Sequence, residues 1–438
     1  MMRKLLIVDP TLVSLLGHSY NYDRAIFEAA RDVFDEVVLY ADKRFNEPLP
    51  EGLVCRAVLN RLPIDTLKRW VNAAFHPFRQ PTGEGAPAGA NSPHSTVVPN
   101  VWQWVIRLAK MMRVLDLQGS LEQIMRNHGN GELHVLLQHA HLPELIVADR
   151  LRRIRGPGSA TQWLHLVLRY SPELVNAGFF SEQEFSALLR RLGGPGNLKV
   201  QLLTDSERLS AEYRAVGVDN VGTLPVPILL PEEDPVADEL AVVNVSFLGS
   251  SRVEKGFCEL PALVSALPRE AGGRKIRAMV QITRDSADPR VRAAVESLRA
   301  LQRAMPEALE LLDSPVPVPV YFGWVARSGI VALPYLSQKY NASTSGIFVE
   351  AICFGVPVLC PSSSWMSDVV EAAAREHGLR IGEVFSGLGE IGGLVSRIAG
   401  ETARYRADVR EFAKRWRATH NPQACVRALV AATRAAAE

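Results

Sequence analysis

Short, nearly continuous apolar runs alternate along the chain with longer stretches in which apolar positions recur every three or four residues. In the first half the runs are "KLLIVD" (4–9), "EVVLYA" (36–41), "HVLLQH" (134–139), "WLHLVLR" (163–169) and "VQLLTD" (200–205). In the second half they are "VNVSFLG" (243–249), "IRAMVQI" (276–282), "GIVALPY" (329–335) and "VPVLCP" (356–361). Runs without polar alternation are strands buried on both faces, and helical stretches between them supply the crossovers of a parallel sheet. The pattern predicts an α/β protein with two Rossmann-like, doubly wound parallel-sheet domains.

The rhythm breaks in three places. At "PVPILLPEEDPVADELA" (225–241) prolines and an acidic run interrupt it, which places a linker at 226–241 between a first domain, 1–225, and a second, 242–401. "RQPTGEGAPAGANSPHSTVVPN" has almost nothing to bury and predicts a mobile insertion near 79–99. The prolines of "SPVPVPV" (314–320) predict an extended connector, because each fixes its own backbone and biases its predecessor away from helix. Residues 402–438, rich in Ala and Arg, are helical in pattern with an interruption at "HNPQ".

At 438 residues the chain exceeds one ordinary core, in keeping with two domains. Its formal net charge is only +2, which argues against a nucleic-acid partner, since such proteins concentrate a basic excess. The five cysteines are odd in number and scattered, as expected of small buried apolar residues in a reducing compartment. No run reaches the ~18 apolar residues that span a bilayer, and a cytoplasmic location is expected. "DTLKRWVNAAFHPFR" and "VWQWVIRLAKMMRVL" mix Trp and Phe with Lys and Arg. Such helices either pack on a sheet with a solvated basic edge or lie on a membrane surface. The second alternative leaves room for peripheral contact with the inner membrane.

In open parallel sheets ligands gather at the carboxyl ends of the strands, so the residues after each run are the candidate chemistry. The first run leads to Gly17 and His18, where backbone can come close to a ligand or merely turn. "HVLLQ" leads to His139 and His141 before Pro143. Neutral imidazoles there can hydrogen-bond a polar substrate or cap the following helix. An H-x-H pair can also bind metal, but with no third ligand in the stretch none is expected. Arg169 ends "WLHLVLR", where it can meet an anionic substrate or pair with Asp205 or Glu207.

In the second half, "NVSFLGSSRVEKGF" is a strand, a turn at Gly249, then Arg252 and Lys255 at a helix entry. Backbone N–H groups, a positive helix end and two cations suit a diphosphate. After "GIVALPY", residues Ser343, Thr344, Ser345 and Gly346 offer hydroxyl and amide donors at a helix start. Helical side chains lean toward the N-terminus, so Glu350, one turn inside, points back over Gly346 and Ile347. A carboxylate below a phosphate-holding loop has the shape of a site for ribose joined to a diphosphate.

The order strand, glycine turn, "R-V-E-K-G-F", then "LPY", then a Ser/Gly loop and "F-V-E-A-I-C-F-G-V-P-V" resembles the nucleotide-sugar-dependent glycosyltransferases of the GT-B fold, in particular the retaining family 4 type. The resemblance is specific over 244–365. It implies two Rossmann-like domains facing a cleft, the first for a glycan or lipid-linked acceptor and the second for a UDP- or GDP-linked donor. By the same resemblance Arg252 and Lys255 would hold the diphosphate, Gly346 and its neighbours Ser343, Thr344 and Ser345 would add donors, and Gly249 and Tyr340 are further candidate substrate-binding residues. Glu350 would take the ribose, Gly17 and His18 would belong to a loop closing on the donor, and His141 or His139 would approach the transferred sugar. Residues after about 402 would form a helix crossing back to the first domain. No cofactor and no metal are expected, because the cations would do the work of a divalent ion. The implied activity is retaining sugar transfer in bacterial polysaccharide or glycoconjugate synthesis. Ala342 stands where the family carries a sugar-contacting glutamate, and Ser250 where its arginine usually follows the glycine. That keeps open a catalytically degenerate scaffold or binding subunit, beside a phosphorylase or epimerase using the same cleft.

Overall fold

The computed structural model describes residues 2–15, 18–59, 97–129, 131–154, 161–194, 198–230, 242–283, 286–336 and 340–435, without the side chains of 18–19, 97–110 and 434–435. The chain runs β1 (Arg3–Asp9), α1 (His18–Ala30), β2 (Glu36–Asp42), β3 (Cys55–Leu59), α2 (Val97–Asn127), β4 (Glu132–Ala140) and α3 (Leu142–Ile154). It continues through β5 (Gln162–Leu168), α4 (Pro172–Asn176), α5 (Glu182–Gly193), β6 (Leu198–Thr204), α6 (Glu207–Ala215) and β7 (Val221–Thr223). Then come β8 (Val242–Phe247), α7 (Leu260–Ala266), β9 (Glu270–Ala271), β10 (Arg274–Thr283), α8 (Pro289–Ala304), β11 (Leu309–Ser314) and α9 (Val318–Ala326). The last part holds β12 (Ile330–Ala332), α10 (Gly346–Cys353), β13 (Val358–Pro361), α11 (Trp365–His377), β14 (Gly382–Phe385), α12 (Ile391–Gly400), α13 (Thr402–Thr419) and α14 (Pro422–Ala435).

Two sheets result. The first has the order β3-β2-β1-β4-β5-β6-β7 and the second β11-β10-β8-β12-β13-β14, with β9 antiparallel to the start of β10. Each path leaves its first strand in one direction and returns to its other side, so the order reverses between β1 and β4 and between β8 and β12. Ligand crevices of doubly wound sheets open beyond the carboxyl ends at such reversals. These are the ends that carry His139 and His141 in the first sheet, and the Gly249 turn with the loop before α10 in the second.

The second sheet shows why its runs are unbroken. Val243, Val245 and Phe247 of β8, with Ile276, Ala278, Val280 and Ile282 of β10, enter one core beside α7, α8 and α12. Leu248, Met279, Val331 and Val358 enter the other, beside α9, α10, α11 and α13. Successive residues of a strand point to opposite faces, so covering both faces makes every position apolar.

By contacts the chain divides into a first unit, Met1–Val13, Glu36–Leu166 and Glu173–Gln201, and a second, Ser14–Asp35, Val167–Pro172 and Leu202–Glu438. The division differs from a single cut at 225–241. Helix α1 belongs to the second unit, where it packs against the last helix, α14. Of the expected linker, 231–241 lies outside the described residues, and 225–230 is not loose chain. Val226 and Ile228 are buried with Val349 and Cys353, and the Val226 N–H donates to Nδ1 of His420 at 3.1 Å. Most of the expected insertion, 79–96, and the stretch 65–79 also lie outside the described residues; α2 begins at Val97.

The "SPVPVPV" connector is a correction. Pro317 precedes the first turn of α9 and Pro319 lies within it, positions where a proline has no intrahelical hydrogen bond to lose. Strands β3, β7, β11 and β14 escape the sequence reading for simple reasons. β3 is mostly exposed and β7 is three residues long, while β11 and β14 carry acidic residues in short runs.

Candidate functional site

Strand β8 ends in a turn that only glycine can make. Gly249 has φ +108°, and a Cβ there would stand 2.5 Å from Cδ1 of Ile347 and 3.0 Å from Nζ of Lys255. The close approach shows that three parts meet: the β8 turn, the Lys255 ammonium and the first turn of α10. The turn is fixed to β10, because the Gly249 N–H donates to Oε1 of Gln281 at 2.7 Å and Ser251 and Thr283 exchange bonds of 3.1 and 2.8 Å.

Arg252 precedes a single 3₁₀ turn, Val253–Lys255, which ends at Gly256 with φ +70°. Here too glycine is required, since a Cβ would fall 2.0 Å from the carbonyl oxygen of Pro334. The contact seats the cationic turn against the strand end that leads to α10. Arg252 is half-exposed and lies 3.4 Å from the carboxylate of Glu254. The Lys255 ammonium stands over the ring of Tyr335 at 5.3 Å. Its desolvation, with Arg252 beside it, pushes Lys255 down to about 7, against the opposing pull of Glu350 and Glu254. An ammonium in that position is strengthened by a neighbouring anion.

Helix α10 is short and apolar, and Ile347 through Cys353 are all buried. Ser345 caps it, accepting from the Phe348 N–H at 3.3 Å, which leaves the first backbone N–H groups free of intrahelical acceptors. Among the described residues a Cβ at Gly346 would meet nothing within 4 Å, so on that side the helix start faces open space. Glu350, 4% exposed, accepts from the Tyr321 hydroxyl at 2.6 Å. Burial, with the carboxylate next, pushes the Tyr321 hydroxyl well above the ordinary tyrosine range, so it remains a donor. Sequence reasoning missed Tyr321, which lies on α9 just past the stretch read as extended.

The remaining loop residues are engaged. Thr344 donates to Oδ2 of Asp205 at 2.6 Å and Ser343 to the Arg169 carbonyl at 2.8 Å, so these hydroxyl hydrogens are directed at protein rather than ligand. The Tyr340 ring packs tilted against Tyr335, centroids 4.4 Å apart, and burial pushes the Tyr340 hydroxyl up to about 12. Arg169 follows the structural alternative. Its guanidinium lies 3.3 Å from Asp205 and stacks over Tyr22 at 4.3 Å.

Gly249, Arg252, Lys255, Tyr340, Ser345, Gly346 and Glu350 thus gather in the second unit. His139 and His141 belong to the first, where the His141 N–H donates to Glu144 at 2.9 Å and His139 is half-buried near the end of β4. Gly17 lies outside the described residues, as does the side chain of His18. Ala342 is 3% exposed and supplies only its carbonyl, to the Ser206 hydroxyl at 2.7 Å. Among the described residues no three His, Cys, Asp or Glu side chains gather as metal ligands do.

Solved structures that match over nearly the whole chain share its fold. Sucrose-phosphate synthase from Thermosynechococcus elongatus superposes with a TM-score of 0.61 at 12% identity, covering 98% of each chain. The chain has the GT-B fold. An E. coli trehalose-6-phosphate structure bound with UDP-2-fluoro glucose gives 0.60 at 12% identity, covering 94% of this chain and 96% of the other. A trehalose-6-phosphate synthase analysed with bisubstrate glycomimetics for glycosyl transfer with retention gives 0.61 at 12%, covering 98% of both. No family model and no curated protein matches the sequence. On this GT-B scaffold the described site lies at the reversal point of the second sheet.

Proposed function

We propose that the protein is a glycosyltransferase that binds a UDP- or GDP-linked sugar in its second unit and transfers the sugar to a glycan or lipid-linked acceptor. One observation carries the reading: the Gly249 turn, the Lys255 ammonium and the open start of α10 converge, with the buried Glu350 carboxylate one turn below. Amide donors and a cation suit a diphosphate, and a carboxylate, an acceptor with two oxygens, suits ribose hydroxyls. Sugar transfer passes through an oxocarbenium-like state while negative charge grows on the leaving diphosphate. Lys255, Arg252 and the helix amides stabilise that charge where it develops. In this reading the reaction needs no metal and proceeds with retention, as in the trehalose-6-phosphate synthase study. In this reading His141, or failing that His139, at the reversal point of the first sheet, is the residue that approaches the transferred sugar.

A lipid-linked acceptor of bacterial polysaccharide or glycoconjugate synthesis is favoured by α2. Its Met111, Met112 and Leu115 are 36%, 48% and 62% exposed and fall at helical spacing, next in sequence to Trp102 and Trp104. No described helix is long and apolar enough to cross a membrane. Incubating the pure protein with UDP- and GDP-sugars and lipid-linked glycan acceptors is expected to release nucleoside diphosphate with acceptor-dependent product, unchanged by chelator. Donor binding without any turnover would favour the scaffold alternative, for which Ala342 is the supporting residue. Loss of turnover on chelation, restored by Mg²⁺ or Mn²⁺, would overturn the metal-free assignment.

A further inference from the structure

Four successive residues before the cap of α10 are held by side chains or backbone from elsewhere in the second unit. The Arg208 guanidinium binds the Asn341 side chain, Ser206 donates to the Ala342 carbonyl at 2.7 Å, Ser343 donates to the Arg169 carbonyl at 2.8 Å, and Thr344 donates to Asp205 at 2.6 Å. Three of these partners come from one short stretch, Asp205 to Arg208, where β6 turns into α6. That stretch is itself fixed. Ser206 caps α6 by accepting from the Leu209 N–H at 3.1 Å, and Arg208 also pairs with Asp368 at 3.0 Å.

Asp205 has the strongest hold. It is 4% exposed, with Arg169 against the same oxygen that receives the Thr344 hydroxyl. An O–H to carboxylate bond of that length is of the charge-assisted kind, stronger than a bond between neutral groups. Thr344 directly precedes Ser345, the cap, so its anchor fixes where the backbone enters α10. The orientation of the Gly346 and Ile347 amides follows from that entry.

We propose that Asp205 is a positioning residue: through Thr344 it aims the first amides of α10 at the donor's diphosphate. The proposal rests on the nucleotide-sugar reading of this site. Neither Asp205 nor Thr344 needs to touch the ligand; the effect passes through the backbone, where a displacement of about 1 Å is enough to lose alignment.

The test compares Thr344→Val, which removes the hydroxyl at nearly constant shape, with Thr344→Ser, which keeps it. Calorimetry with UDP and GDP, and with uridine and guanosine as phosphate-free controls, separates the outcomes. Thr344→Val is expected to bind the preferred diphosphate about tenfold more weakly, with Thr344→Ser close to the unaltered protein. Affinity for the nucleosides should be the same in all three, with melting temperatures showing that each variant is folded. If Thr344→Val binds the diphosphate as well as the unaltered protein does, or loses nucleoside and diphosphate equally, the positioning role is overturned. If the unaltered protein binds neither diphosphate, the nucleotide reading itself fails, and the positioning role with it.

Discussion

A carboxylate buried on an apolar helix needs hydrogen-bond donors around it, and for Glu350 the structure supplies Tyr321 at 2.6 Å. The sequence showed Glu350 as anomalous among Val349, Ala351 and Ile352, and its place one turn inside a helix followed from spacing alone. Its partner was not legible, since the contact joins α9 to α10 across 29 residues. Arg169 and Thr344 were legible as polar residues at strand and helix ends, but not as partners of the same Asp205. Lys255 allows a residue-scale prediction with a definite sign. Its pKa is lowered to about 7, whereas an unfolded lysine titrates near ~10.4. Between those values the unfolded chain binds the extra proton, so this group's contribution to stability rises with pH across that window. Affinity for a nucleotide sugar, whose diphosphate stays ionised, should move the other way. We expect it to fall roughly threefold to tenfold from pH 6 to pH 8 as the ammonium discharges, and to become nearly flat in Lys255→Arg, both read by calorimetry. A flat profile in the unaltered protein would contradict the cation's role.

At the scale of elements, the long uninterrupted strands were readable because burial on both faces leaves no polar position. The short edge strands were not, because β3 is mostly exposed and β14 carries Glu383. The two C-terminal helices, with their break at "HNPQ", were also legible, but what they grip was not. Arg417 of α13 donates through Nε to the Cys353 carbonyl at 2.7 Å, satisfying the end of α10. His420, just past α13, accepts the Val226 N–H and packs tilted against Trp416 with centroids 4.1 Å apart. The short helix that carries Glu350 is therefore held at both ends by distant parts of the chain. Burial pushes His420 down to about 4 from an ordinary value near ~6.5. In that interval the unfolded chain takes up the proton, so stability present above about pH 6.5 is lost as the pH falls toward 4, by up to about 3 kcal/mol. Urea unfolding at pH 7.5 and pH 5 should show a smaller acid loss in His420→Gln than in the unaltered protein. Equal losses would remove His420 from the account.

On the scale of the whole molecule, two reversals of strand order set two ligand-facing edges, and alternating strand and helix patterns predicted both sheets. The contact division was not predictable, because the pairing of α1 with α14 joins the two ends of the chain and leaves no local signal. The GT-B fold follows from the full-length structural likeness at 12% identity, while the assignment of a donor rests on the second unit's own residues. The most direct test of that assignment is calorimetric titration of UDP- and GDP-sugars into the unaltered protein and Glu350→Ala, with melting temperatures measured alongside. The account predicts measurable binding of one nucleotide class and at least a tenfold loss in a variant that remains folded. Equal affinity in the two proteins would make Glu350 a structural residue and contradict the site described here.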